Sequence, residues 1–250
     1  MVPAEKGSPF PWTIKFDETF PKYWKPVDSI DISFAESDDY QLAMRNRQYN
    51  PMGRSYKKLD DKNTGMPRNP LGRIGVSGTG GLPFWGANPA LILVITRMTT
   101  DNKVKVVLTK GSVRRLPWFL IQHPPDCDGI SCIKRITTEW ANWRYEEVLF
   151  KDPLKRVEYE SVFDDFNRAR YREVVIGPVH DNINTDNAWV EAVGVNMHLP
   201  MSMKSEKPIL EILEHNRNEF YWSFVDALPN MPIGHTKVLK EALRMIYHTA

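Results

Sequence analysis

The chain has 250 residues, a formal net charge of +2, and 42% apolar against 26% charged residues. That length suits one large domain or a smaller one packed against a cap, and the composition is that of an ordinary globular protein. Charges of both signs are interleaved along the chain, which argues against the concentrated basic face that a nucleic-acid partner would need.

The opening Met1-Val2-Pro3-Ala4-Glu5-Lys6 lacks the apolar stretch of a secretory signal. Residues 1–70 are rich in proline and aromatics and poor in periodicity; Trp12–Phe16 alternates like a short strand, and Asp60–Gly65 reads as an exposed turn. A glycine-rich connection follows over residues 72–89. Its spacing Gly75-x-x-Gly78-x-Gly80 is superficially that of a phosphate-binding loop, but Pro83-Phe84-Trp85 stands where a helix should start, so a dinucleotide fingerprint is not expected. Residues 1–89 are therefore taken as a cap region with its connection, and residues 90–250 as the core domain.

The longest apolar run, Ala90–Ile95, is strand-sized and well short of the roughly 20 residues of a membrane helix. No direct membrane insertion is expected, and the predicted location is cytoplasmic. Leu91–Arg97 and Val104–Thr109 read as strands joined by a Thr100–Lys103 hairpin turn, and Trp118–Ile121 as a third. His123, Cys127 and Cys132 match no common zinc spacing, so no metal site is expected there, and two cysteines in one stretch fit a reducing compartment. Ile133, Ile136, Trp140 and Trp143 recur at helical spacing between Ile130 and Val148, and a second helix is expected over Arg156–Arg170. Strands return at Val174–Val179, Trp189–His198 and Phe220–Val225. A closing helix should start near Thr236 as its N-cap and bury Leu239, Ala242, Leu243 and Ile246. Mixed strands and helices predict an α/β fold.

Three stretches together carry a family resemblance. Met66–Gly75, continuing to Trp85-Gly86-Ala87-Asn88-Pro89, resembles the glycine-rich lead-in to the core of ADP-ribose pyrophosphatases. Asn184-Thr185-Asp186-Asn187-Ala188-Trp189 is similar to a hexapeptide typical of that branch of the Nudix family, and Pro11–Phe16 resembles its opening. The branch includes free pyrophosphatases and the C-terminal domain of the melastatin-type cation channel gated by ADP-ribose. The resemblance implies a Nudix α/β/α sandwich with an N-terminal cap, ADP-ribose as ligand, and other domains or subunits of a channel as partners. It also admits a place at the cytosolic face of a membrane.

Family hydrolysis uses Mg²⁺ held by carboxylates on one helix face, in the pattern Gly-x₅-Glu-x₇-Arg-Glu-x₂-Glu-Glu, because glutamates three and four apart project together. The best match here is Arg135-Ile136-Thr137-Thr138-Glu139-Trp140. Only Glu139 of three glutamates survives, and Glu146 and Glu147 have no partner at the right offset before them. The expected protein has no catalytic residue beyond the remnant Glu139 and requires no cofactor, with Mg²⁺ needed only if a rearranged site were active. For ligand binding, the resemblance implies Arg97, Asp181, Asn184, Asp186, Asn187 and His235. Two readings of Asp186 and Asn187 stay open: bonds to ribose hydroxyls, or a turn bonded to itself. Ile183 replaces the arginine that often precedes the hexapeptide.

Overall fold

The computed structural model describes residues 39–46, 65–120, 169–199, 206–213 and 219–248. The N-terminal stretch Trp12–Phe16, the group His123, Cys127 and Cys132, and the expected helices from Ile130 to Ala169 lie outside them. So do Glu139, Glu146 and Glu147. Two compact units divide the described residues. The first holds 39–46, 65–90, Leu120 and 177–192; the second holds 91–119, 169–176, 193–199, 206–213 and 219–248.

In the first unit, helix α1 (Tyr40–Asn46) starts at Asp39, whose Oδ1 accepts from the Gln41 and Leu42 amides at 2.8 and 3.1 Å. A carboxylate there satisfies donors that a first helical turn cannot pair internally. The Tyr40 ring meets Trp85 edge-on at 5.3 Å, and its hydroxyl donates to the Gly65 carbonyl at 2.7 Å. The glycine-rich segment is a fixed, largely buried path. Gly75 and Gly78 sit at φ of 91° and 85°, where a side chain would be strained.

The strands form one six-stranded sheet, and most of their residues belong to the second unit. They are β1 (Gly86–Met98), β2 (Val104–Thr109), β3 (Trp118–Leu120), β4 (Arg170–Pro178), β5 (Ala188–Leu199) and β6 (Phe220–Phe224), in the order β4-β5-β1-β2-β6 with β3 paired to β1. The β1–β2 and β2–β6 pairs are antiparallel, with Arg97 opposite Lys105 and Lys105 opposite Phe224. Strand β1 is central, which explains why Leu91 to Ile95 are apolar without alternation: both faces are covered and each residue is buried. The hairpin turn falls where expected. Asn102 adopts a left-handed φ of 59°, and the Thr99 amide donates to the Lys103 carbonyl at 2.8 Å.

Helices α2 (Glu206–Leu213) and α3 (Ile233–Tyr247) complete the described elements. Helix α3 buries Val238, Leu239, Ala242 and Ile246, while Leu243 stays half-buried. Gly194 on β5 makes room for it: a Cβ there would stand 2.8 Å from a Val238 methyl carbon. The mixed α/β class is as expected; β5 and the far ends of β1 and β4 differ by one residue, and four boundaries differ in kind or by more. Strand β1 opens at Gly86 because Asn88 pins that stretch through its side chain, accepting from the Phe84 amide and donating to the Phe84 and Gly86 carbonyls. Arg170 is the first residue of β4 and ends no helix; pairing with β5 overrides a charged sequence with little alternation. Strand β6 stops at Phe224, and Val225–Ala227 turn as a 3₁₀ helix. Helix α3 starts three residues before Thr236, with Pro232 as N-cap, because proline already holds the φ that a helix entrance needs.

Candidate functional site

The hexapeptide forms the tight connection into β5, and its polar side chains are engaged one by one. Asn184 donates through Nδ2 to the Val179 carbonyl at 2.8 Å and accepts through Oδ1 from the Val190 amide at 2.9 Å. The Thr185 hydroxyl donates to the Gly78 carbonyl at 2.5 Å and accepts from the Asn187 and Ala188 amides. Asn187 accepts from the Gly78 amide at 3.1 Å and donates to the Pro67 carbonyl at 3.0 Å. Asp186 Oδ1 accepts from the Ile74 and Gly75 amides at 2.5 and 3.0 Å, and its Oδ2 stands 3.7 Å from Arg73 Nε.

The bonds from Thr185, Asp186 and Asn187 to residues 67–78 reach back over a hundred residues. A buried stretch of irregular backbone has no ladder to satisfy its amides and carbonyls, so side chains must do it. The hexapeptide acts as that partner. In the structure, the Asp186 and Asn187 side chains bond the backbone of residues 67–78. Asp186 is buried, and burial pushes its carboxyl above the usual aspartate range, against the opposing pull of the Gly75 and Ile74 amides and of Arg73.

Asp181 stands at the head of the connection, where its Oδ1 accepts from the Ile183 amide at 3.1 Å in an Asx turn. In the second unit, Arg97 lies on β1 with its guanidinium carbon 5.8 Å from the Trp222 ring centroid. His235 occupies the first turn of α3, is 2% exposed, and meets the Trp118 ring edge-on at 6.4 Å; Arg115 lies 6.0 Å over the same ring. Trp118 thus has a cation on its face and an imidazole at van der Waals range.

Sequence reasoning overlooked Asn69, which donates through Nδ2 to the Thr185 carbonyl at 2.8 Å and accepts through Oδ1 from the Leu71 amide. The signal was available: Asn69-Pro70-Leu71-Gly72 is turn chemistry, and Asn side chains bond backbone two residues on. The Asn196–Thr96–His198 network was equally unforeseen. Asn196 Nδ2 donates to the Val94 carbonyl and to Thr96 Oγ1, and the threonine hydroxyl shares a hydrogen bond of 3.0 Å with His198 Nδ1. Burial holds the His198 pKa below the usual imidazole range, and Arg170 and Arg172 reinforce the shift.

No family profile matches the chain. Sequence comparison finds the transient receptor potential cation channel subfamily M member 2 of Rattus norvegicus, 30% identical over 193 residues, which is 71% of this chain and 12% of the channel. It also finds the mitochondrial ADP-ribose pyrophosphatase of the same organism, 29% identical over 213 residues, covering 79% of this chain and 60% of that enzyme. The chain belongs to the ADP-ribose pyrophosphatase-like branch of the Nudix family. It spans only a small part of the channels it matches and under two thirds of the pyrophosphatase. A solved Nudix hydrolase from M. smegmatis, RenU, is a loose likeness at 12% identity over 68% of this chain, with a TM-score of 0.31.

Nudix chemistry raises the question of Mg²⁺. The stretch that best resembles the metal-binding helix in sequence, Arg135–Trp140, lies outside the described residues and holds one carboxylate, Glu139, where the family pattern has three glutamates. Among the described residues, no group of three or more His, Cys, Asp or Glu side chains is placed to hold a metal, and no helix is long and apolar enough to cross a membrane.

Proposed function

We propose that this Nudix-family domain does not hydrolyse ADP-ribose, and that it works as an ADP-ribose-sensing or structural module within a longer melastatin-type cation channel polypeptide. The observation that carries this reading is Arg135-Ile136-Thr137-Thr138-Glu139-Trp140, with one glutamate where Nudix hydrolysis uses three. Pyrophosphate cleavage by water needs the diphosphate charge neutralised in the transition state, and each lost stabilising group slows such reactions by roughly a hundredfold or more. The similarity to a cation channel supports the channel context. On this reading the domain lies at the cytosolic face of a membrane, and its partners are ADP-ribose and neighbouring parts of the channel.

In the first unit, Asp186 and Asn187 bond residues 67–78, and Asn184 bonds Val179 and Val190. Asp181 there, and separately Arg97 and His235 in the second unit, are the remaining candidates for contact with a ligand. Calorimetric titration of the full chain with ADP-ribose, with and without Mg²⁺, tests this. Saturable heat without AMP release supports a sensor, and no heat at all leaves the structural role. Turnover that Glu139→Gln abolishes would instead establish a hydrolase with a rearranged metal site built from Glu139, Glu146 or Glu147.

A further inference from the structure

We propose that Arg73, Ile74 and Gly75 form an anion-binding nest for a compact oxyanion, and that its occupant in the folded domain is the protein's own Asp186 carboxylate. Two successive amides, those of Ile74 and Gly75, converge on the single oxygen Asp186 Oδ1 at 2.5 and 3.0 Å. The left-handed φ of 91° at Gly75 lets neighbouring N–H groups turn to one side of the chain, and such concave pairs of amides are how loops cradle phosphates and other anions. The Arg73 guanidinium adds its charge on the second oxygen, with Nε 3.7 Å from Oδ2. The donor set is thus that of an oxyanion site.

The occupant is held on both sides by its own backbone. The Asp186 amide donates to the Val76 carbonyl at 2.7 Å, and its carbonyl accepts from the Asn69 amide at 2.8 Å. A carboxylate held in place by its own backbone reaches its partners as an intramolecular ligand, without the association cost that a free anion meets. A phosphate from solution must displace it to enter. The glycine spacing that suggests a phosphate loop therefore has a physical basis, yet the site is closed to the phosphates of any ligand while Asp186 is ionised. This inference stands on the first unit alone and is independent of whether the domain binds ADP-ribose.

Asp186→Ala in the full chain empties the nest while sparing the backbone bonds. Its midpoint of thermal unfolding should fall, then recover saturably with inorganic phosphate or acetate and not with chloride at matched ionic strength. In the wild type, the Ile74 and Gly75 amide resonances should ignore added phosphate and move together as Asp186 titrates. A folded Asp186→Ala protein without any saturable oxyanion response overturns the proposal, as do wild-type amides that shift on adding phosphate. Should the variant fail to fold, the wild-type titration decides: amides indifferent to the ionisation of Asp186 sink the idea.

Discussion

The two units are held together by different physics. In the first, the described contacts are dominated by side-chain bonds to irregular backbone: Asn69, Asn88, Asn184, Thr185, Asp186 and Asn187 each satisfy buried main-chain groups. In the second, Leu91, Leu93, Ile95, Val107, Leu108 and Val195 are buried to within 1% in a sheet whose backbone pairs with itself. Apolar packing tolerates exchange of one hydrocarbon for another of similar volume. A polar clasp does not, because each deleted partner strands a buried donor or acceptor. The hexapeptide thus has a structural role in its own right, as the partner of buried backbone.

That contrast can be broken or sharpened by substitution. Leu93→Ala, in the centre of β1, should lower stability strongly, by about 2–5 kcal/mol in denaturant unfolding, from lost transfer energy and the cavity left behind. Asn184→Ala orphans both the Val179 carbonyl and the Val190 amide, at about 1–3 kcal/mol for each buried group. A loss below about 0.5 kcal/mol, the level of an ordinary surface change, would show that the clasp is dispensable. Gly194→Ala pushes a methyl group against Val238 and should destabilise by about 1–3 kcal/mol through overpacking, with near-full recovery in a Gly194→Ala, Val238→Ala double variant.

The smallest effect is the one with a pH signature. The folded pKa of His198 lies below its usual 6.5, so the unfolded chain takes up the proton first as pH falls. Its contribution is therefore complete above that value and is lost as pH drops below it. His198→Asn should flatten the stability profile in this window, and an unchanged slope between wild type and variant would remove His198 from the account.

Much of the sheet is legible from sequence, because central strands leave an unbroken apolar run and hairpins leave turn residues. Val104–Thr109 and Thr100–Lys103 needed no correction. What escaped was set by partners far along the chain. Gly86–Ala90 continues a strand through Pro89, pinned by Asn88, and Arg170–Glu173 becomes strand only beside β5. Helices α1 and α2, at seven and eight residues, are too short to leave a clear 3.6-residue period, and neither was foreseen. For the candidate site, the hexapeptide stands out by its composition, but nothing local tells that its amides and carboxylate close on residues 67–78. Hydrogen bonds spanning more than a hundred positions carry no periodicity to read.

The account turns on whether carboxylates sufficient for phosphoanhydride cleavage are present. The purified 250-residue chain should be incubated with ADP-ribose and Mg²⁺ while AMP is quantified by chromatography against a no-protein control. Release indistinguishable from that control, in a sample with a cooperative unfolding transition, is the predicted result. AMP accumulating in proportion to protein concentration, at rates typical of enzymes, would contradict it.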